Sequence, residues 1–296
     1  MPSSATRFAL TTRQQAVRGQ LLLILSAVAF STAGFFTREA PVNLWAMVFW
    51  RNLFGGSVLV ALFVASGSAI SWRSIRVLGR WGWTTIAASS FATVCFLAAL
   101  ERTSVADVSI IYATAPLLSA LIAWTWLGEI TPRGTIYAAV LALIGVATTL
   151  VGSLGGGTLL GDGLALAMTA SLSLMTVVAR RHERFPALLI ACLSSIAAAL
   201  AALPFGHLAG ASFLISWSTA GWLAAFGILT MAVALPSYLA GAATVPAGKA
   251  MLISALEMAL APLWVWLAFA EVPPTGSVIG GGIAALAILW QMRAGP

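Results

Sequence analysis

Two eleven-residue stretches with a common ending decide how this sequence is organised. Residues 124–134 read Trp-Thr-Trp-Leu-Gly-Glu-Ile-Thr-Pro-Arg-Gly, and residues 266–276 read Trp-Leu-Ala-Phe-Ala-Glu-Val-Pro-Pro-Thr-Gly. In each stretch an apolar run ends in Glu, a proline follows, and a glycine opens a second apolar run. The match extends without a gap over residues 97–150 and 239–292, at a constant offset of 142 positions. The pattern indicates that the chain contains two copies of one unit.

The amino-acid composition indicates that the chain is an integral membrane protein. Of the 296 residues, 60% are hydrophobic and 8% are charged, and the mean hydropathy is +1.00. Soluble domains are about 45–50% apolar and about 25% charged. The apolar runs are long and continuous rather than alternating, so they predict helices that cross the membrane, for which about 20 apolar residues are needed.

The apolar runs divide into ten predicted spans, five in each copy. The spans comprise residues 21–36, 44–66, 82–100, 104–127, 134–151, 164–179, 186–205, 217–240, 248–270 and 276–290. We therefore predict four regions along the chain. They are a basic N-terminal tail (1–19), a first repeat (20–152), a glycine-rich connector (153–163) and a second repeat (164–292). A secretory signal ending near Ala27-Val28-Ala29 is disfavoured, because its apolar core would be short.

The basic residues predict the orientation of the spans. With a cytoplasmic N-terminus, 11 of the 15 basic residues lie on the cytoplasmic side, and Arg38 and Arg102 lie outside. Cytoplasmic loops carry the excess of Lys and Arg in membrane proteins. Because each copy has an odd number of spans, the second copy enters from the opposite side, so Glu129 is predicted to be cytoplasmic and Glu271 external. We expect an all-α integral membrane protein with ten transmembrane helices in two inverted five-helix repeats and both termini cytoplasmic.

Several function classes lack the motifs that they need. The basic residues form short clusters between apolar runs, which is a topology signal and not a nucleic-acid surface. No HExxH, GxSxG or Walker A pattern occurs, and Cys95 and Cys192 lie within apolar runs without metal-ligand spacing. We expect no catalytic residue, cofactor or metal site. Inverted repeats are typical of secondary transporters, and an intramembrane enzyme or a membrane scaffold is the alternative.

The sequence resembles the EamA-type members of the drug/metabolite transporter superfamily over essentially its whole length. Trp50-Arg51-Asn52-Leu53 is similar to the arginine-bearing second helix of that family, and Ala115-Pro116 with Leu127-Gly128-Glu129 is similar to the fourth helix and its end. The second copy departs from the pattern, with Met258 in place of the proline and Pro262 four residues later.

The resemblance implies export of amino acids, other metabolites or drugs across the bacterial inner membrane. The ten-span amino-acid exporters are the nearest fit, and their substrates would include aromatic and other neutral amino acids. The partners implied are a small-molecule substrate and the lipid bilayer, with no nucleic acid.

Four ionisable side chains fall inside predicted spans, where such groups are rare and mark substrate pathways. Glu257 and Arg51 lie near the middle of their spans, whereas Asp107 and Lys249 lie near an end. We expect the Glu257 carboxylate to meet the ammonium of an amino acid and the Arg51 guanidinium to hold its carboxylate. The alternatives are a structural ion pair between Arg51 and Glu257, and a Lys249 side chain that extends to the headgroups.

Prolines within spans predict further site residues. A proline cannot bond the carbonyl four residues before it, so Pro116 would release the carbonyl of Tyr112 and Pro262 that of Met258. Such carbonyls face a wet cavity or are satisfied by neighbours, and a kink that only shapes packing is the alternative. Pro236 lies beside Tyr238, which aligns with Phe96 of the first copy. The predicted substrate site comprises Glu257, Arg51, Tyr112, Met258, Tyr238, Phe96 and Lys249.

Small residues repeat every fourth position on the last helix of each copy. These rows are Gly134, Ala138 and Ala142 in the first copy and Gly276, Gly280 and Ala284 in the second. Small residues at this spacing let two helices approach closely in a membrane. We expect the rows to pack the two repeats together or to form a homodimer, and we do not assign them to substrate.

Overall fold

The computed structural model describes residues 4–65, 78–100, 102–103, 105–149, 158–182 and 186–270, with positions 279, 282–283, 285–288 and 290. Every regular element in this part of the chain is helical. The elements are α1 (Ser4–Ser31), α2 (Ala33–Glu39), α3 (Leu44–Ala65), α4 (Gly79–Leu100), α5 (Val105–Ala113), α6 (Ala115–Leu127), α7 (Arg133–Thr149), α8 (Leu159–Arg181), α9 (Ala187–Leu208), α10 (Trp217–Gly227), a π-helix (Ile228–Ala234), α11 (Leu235–Ala242), α12 (Ala247–Ser254) and α13 (Leu256–Phe269).

Seven helical segments among the described residues are long and apolar enough to cross a membrane. They are Gln14–Glu39, Leu44–Ala65, Val108–Leu127, Leu159–Arg181, Ala187–Leu208, Trp217–Ala242 and Ala247–Phe269. Each coincides with a predicted span. The predicted spans 82–100 and 134–151 correspond to α4 and α7, whereas 276–290 lies largely outside the described residues. Seven spans are therefore supported, and the count of ten stays a prediction.

Two helices begin earlier than their apolar runs do. The first helix begins at Ser4, so the tail predicted at 1–19 is helical from that residue onward. The eighth helix begins at Leu159, inside the predicted connector, because the Thr158 hydroxyl accepts a hydrogen bond of 3.2 Å from the Gly161 amide. Asp162 in the first turn favours the same start, since a carboxylate is stabilised at a helix N-terminus. Hydropathy alone does not register such a cap.

One helical span in each copy is interrupted near its middle, at positions that differ by one residue when the two copies are aligned. The break between α5 and α6 falls at Thr114, and the break between α12 and α13 falls at Ala255, which aligns with Ala113. At both places an amide bonds the carbonyl three residues back, which tightens the turn. In the first copy Pro116 lies in the first turn of α6, but the second break precedes Pro262 by a full helical turn and more. Proline chemistry therefore accounts for the first break and not for the second.

The span that contains Pro236 accommodates its proline differently. The π-helix joins α10 to α11, and the Leu235 amide bonds the carbonyl of Thr230, five residues back. Pro236 follows in the first turn of α11. A π-helical turn is wider than an α-helical turn. The helical span therefore continues through Pro236, although this residue has no N–H to donate.

Contacts between helix ends show which of these ends lie close together. At one end, Glu129 after α6 is 3.4 Å from Arg180 in the last turn of α8. At the other end, Arg38 of α2 lies 5.5 Å from the centre of the Phe269 ring at the end of α13. The start of α12 lies at the Glu129 end, because buried Ala247 packs against Ala123 of α6. The start of α12 therefore lies beside the end of α6, as the predicted inversion of the second copy requires.

Two pairs of glycines bring helices into backbone contact. A Cβ added to Gly227 would lie 2.2 Å from the carbonyl oxygen of Arg51, and one added to Gly55 would lie 2.3 Å from that of Gly227. A Cβ on Gly241 would similarly lie 2.7 Å from the Gly19 carbonyl oxygen. Helix α3 thus crosses α10, and α1 crosses α11, so closely that no side chain fits between the two backbones at the crossing.

The small-residue row of the first copy packs within the chain. Ala138 and Ala142 on α7 are buried in the main hydrophobic cluster of the described residues. This placement agrees with packing between helices of one chain. The second row includes Gly276, Gly280 and Ala284, which lie outside the described residues.

Candidate functional site

The mid-span interruptions bring together two of the predicted site residues. Tyr112 lies at the end of α5, and Glu257 lies at the start of α13, directly after the second break. The Tyr112 hydroxyl donates a hydrogen bond to the Glu257 carboxylate. Both side chains are half-buried in the bundle. Placing a carboxylate midway along a membrane helix costs free energy, so the partners of such a group indicate its role.

Tyr238 is the third predicted residue at this place. Its ring is 6% exposed on α11 and lies near Glu257 and Tyr112. The same hydroxyl is hydrogen-bonded to Thr176 Oγ1 of α8 and lies 2.9 Å from Met251 Sδ of α12. The site thus joins residues from the two repeats.

Sequence reasoning missed Thr176 and Met251. Both are buried, at 0% and 2% exposure. A threonine or a methionine inside an apolar span is typical of ordinary packing, and neither residue stands in a motif. The contact of Thr176 with Tyr238 joins positions 62 residues apart, so no local spacing indicates it.

Arg51 occupies a different environment from the one expected of an ion-paired residue. Its guanidinium lies 5.0 Å from the centre of the Phe226 ring, which is a cation–π contact. Its Nε is buried and has no hydrogen-bond partner among the residues that the structure describes. Within that part of the chain, no ion pair joins Arg51 to Glu257. The structural ion pair considered from the sequence is not formed in this structure.

The remaining predicted residues lie in packed surroundings. Phe96 packs against the cluster of Val48 and Ala202, and Lys249 is 5% exposed in the first turn of α12. A lysine buried in this way is enclosed by protein and does not extend along the lipid-facing surface. Met258 is half-buried, and its amide bonds the carbonyl of Ala255 at 3.2 Å.

Some predicted groups fall outside what the structure describes. The side chains of Asp107 and Pro262 belong to this set, as do all atoms of Glu271. Among the described residues there is no cluster of three or more His, Cys, Asp or Glu side chains that could hold a metal ion. Cys95 and Cys192 are both buried thiols.

A family model, a curated relative and a solved structure are among the known proteins that this chain resembles. A model of the EamA-like transporter family matches residues 17–151 and again residues 159–292. The pseudopaline exporter CntI, from two strains of Pseudomonas aeruginosa, is 27% identical to this chain over 129 residues, which are 43% of this chain and 44% of that exporter. The alignment thus spans less than half the length of these relatives. A protein of known crystal structure has a TM-score of 0.81, with 94% of this chain and 98% of the other covered at 19% identity, and so has the same fold.

Proposed function

Because this chain belongs to the EamA-like transporter family, we propose that it exports amino acids and related small metabolites. Membership of the family makes it a multi-pass membrane transporter rather than an enzyme. The proposed substrates are aromatic and other neutral amino acids, moved across the bacterial inner membrane by alternating access. The observation that carries the proposal is the half-buried Glu257 carboxylate, hydrogen-bonded to Tyr112 and close to Tyr238.

The surroundings of Glu257 favour a cationic substrate group. A carboxylate inside a membrane needs a positive partner or several hydrogen bonds. Its identified hydrogen bond is with the Tyr112 hydroxyl, and no ion pair to it occurs among the described residues. A substrate ammonium would supply the missing positive charge.

Arg51 is the proposed receptor of the substrate carboxylate. Its Nε is buried without a partner among the described residues, and an unpaired buried donor costs about 1–3 kcal/mol. A carboxylate would satisfy this donor, and the planar guanidinium suits its geometry. A zwitterionic amino acid carries one complementary charge for Glu257 and one for Arg51.

The proposed transport cycle rests on an inverted repeat of two five-span units with both termini cytoplasmic. The position of the start of α12 beside the end of α6 supports the inversion, as does the odd number of spans predicted for each copy. The charge distribution, with 11 basic residues on one side and Arg38 and Arg102 on the other, supports the orientation. In transporters of this plan the two halves move around a site between them.

A second candidate function is export of another metabolite or of a drug. The similarity to a pseudopaline exporter favours it, because it shows that a relative carries a substrate other than a common amino acid. A cationic drug would also place positive charge at Glu257. The transport experiment therefore includes both classes.

The experiment uses the purified protein in liposomes. Uptake of radiolabelled amino acids is compared with that of a quaternary ammonium drug, in wild type and in Glu257→Gln, with folding checked by gel filtration and thermal unfolding. We expect wild type to transport neutral amino acids and folded Glu257→Gln to lose that transport while it keeps a neutral analogue lacking the ammonium. Normal amino-acid transport by folded Glu257→Gln would show that Glu257 is not the ammonium receptor. Transport of the drug alone would replace the first function by the second.

A further inference from the structure

The hydroxyl protons around Tyr238 can be assigned from the acceptors that surround them. Thr176 Oγ1 lies 2.8 Å from the Leu172 carbonyl oxygen, 3.1 Å from Met251 Sδ, and within hydrogen-bonding distance of the Tyr238 hydroxyl. A threonine has a single hydroxyl proton, and a carbonyl is a much stronger acceptor than a thioether. Thr176 therefore donates to Leu172, and its oxygen accepts from Tyr238.

This assignment determines how Tyr238 faces the site. Thr176 is fully buried, and Tyr238 and Met251 are nearly so, so water does not compete for these bonds. The Tyr238 proton is directed at Thr176 Oγ1, with Met251 Sδ as the neighbouring acceptor at 2.9 Å. The lone pairs of the Tyr238 oxygen are then available to other groups.

Tyr112 has the same property for a different reason. Its one hydroxyl proton is donated to the Glu257 carboxylate, so its oxygen can only accept from a further partner. Tyr238 lies near both Glu257 and Tyr112. All three groups thus present acceptors, and the complementary ligand is one that brings several N–H donors and positive charge.

We infer that Thr176 is a positioning residue for substrate specificity: it holds the Tyr238 hydroxyl as an acceptor, so that Tyr238, Tyr112 and Glu257 select a protonated amine. This inference rests on the proposed export of amino acids and adds the residue that sets the polarity of the site. Thr176 does not contact the substrate. Its effect passes through Tyr238, which makes the effect separable from ordinary packing.

The experiment compares phenylalanine with 3-phenyllactate, in which a hydroxyl replaces the ammonium, in liposomes containing the full chain. Thr176→Val keeps the shape of the side chain and removes the oxygen that accepts from Tyr238. We expect the KM for phenylalanine to rise about fivefold, which corresponds to the loss of a hydrogen bond of about 1 kcal/mol. Transport of 3-phenyllactate should not fall, because the released Tyr238 proton can be donated to a neutral ligand. Thr176→Ser keeps the hydroxyl and should restore the KM.

Thr169 offers a matched control on the same helix. It is fully buried, and its hydroxyl donates to the Ala165 carbonyl at 2.8 Å, as that of Thr176 does to Leu172. Thr169→Val removes the same atoms and should leave the ratio of the two substrates unchanged. A double-mutant cycle supplies the second readout, since adding Thr176→Val to Tyr238→Phe should produce no further change.

The outcomes separate the two hypotheses. If wild type transports neither phenylalanine nor 3-phenyllactate, the proposed function fails and this inference fails with it. If wild type transports phenylalanine and folded Thr176→Val has unchanged KM values, the inference alone is overturned. Equal losses for both compounds, or additive effects of Thr176→Val and Tyr238→Phe, would assign Thr176 a structural role. Should Thr176→Val not fold, Thr176→Ala removes the same oxygen and is judged by the same outcomes.

Discussion

The Glu129 carboxylate lies 3.4 Å from the Arg180 guanidinium and joins the loop after α6 to the last turn of α8. Arg180 also donates to the carbonyl oxygen of Ala243 at 3.5 Å, at the end of α11. Next to this pair, Arg181 lies over the rings of Trp81 and Trp126, at 5.8 and 5.5 Å. The contacts connect elements of both repeats at one end of the bundle.

The first prediction concerns the strength of this ion pair. Because both side chains are partly exposed, at 35% for Arg180 and 21% for Glu129, the pair should contribute about 0.2–1 kcal/mol. Glu129→Arg or Arg180→Glu should lower the apparent Tm in detergent by about 1–3 °C, and the exchange of both charges should recover most of the loss. Arg133→Glu, a nearby exposed arginine, is the control. An exchanged protein as unstable as the worse single variant would show that geometry matters more than charge.

The second prediction concerns the directions of the two copies. Cysteines at positions 129 and 271, in a protein with Cys95 and Cys192 replaced, should react with an impermeant thiol reagent from opposite faces of the membrane. A cysteine at position 180 should react from the same face as one at position 129, because Glu129 and Arg180 are in contact. Labelling of positions 129 and 271 from one face would reject the inverted repeat.

The third prediction tests the close crossing of α3 and α10. Gly227→Ala places a methyl group 2.2 Å from the Arg51 carbonyl oxygen, and overpacking of this kind costs about 1–3 kcal/mol. Gly221→Ala on the same helix meets no atom within 4 Å and should not destabilise. Thermal unfolding of the purified variants measures both effects. Equal Tm values for Gly227→Ala and wild type would mean that the helices separate at this point without cost.

The fourth prediction concerns the guanidinium of Arg51. Arg51→Lys keeps the charge and removes the planar fork that binds a carboxylate through two hydrogen bonds. The KM for phenylalanine should rise about 10- to 100-fold, since hydrogen bonds to charged groups contribute about 1.5–3 kcal/mol. Transport of phenethylamine, which lacks the carboxylate, should change little. A matching loss for phenethylamine would indicate that Arg51 serves the fold through its contact with Phe226 and does not hold the substrate.

Three residues of the predicted site lie near one another in the structure, and the sequence singled them out because their residue types are conspicuous in a membrane. A mid-span carboxylate such as Glu257 costs free energy whichever way it faces. Tyr112 lies four residues before Pro116, and Tyr238 lies two residues after Pro236. The sequence predicted a role for the backbone carbonyl of Tyr112, released by Pro116, whereas the observed contact uses the side-chain hydroxyl. No sequence feature distinguishes Thr176, because its proposed role depends on one hydrogen bond to a residue distant in the sequence.

The sequence by itself determined the membrane environment, the duplication and the family, because composition, periodicity and motif spacing are local or cumulative properties of the chain. The tertiary structure decided which polar groups meet. It placed Glu257 with Tyr112 rather than with Arg51, and it brought Thr176 to Tyr238. It also placed the second helical break at Ala255, away from the proline. Each of these contacts depends on the packing of helices distant in sequence, so the pattern within a single span does not specify it.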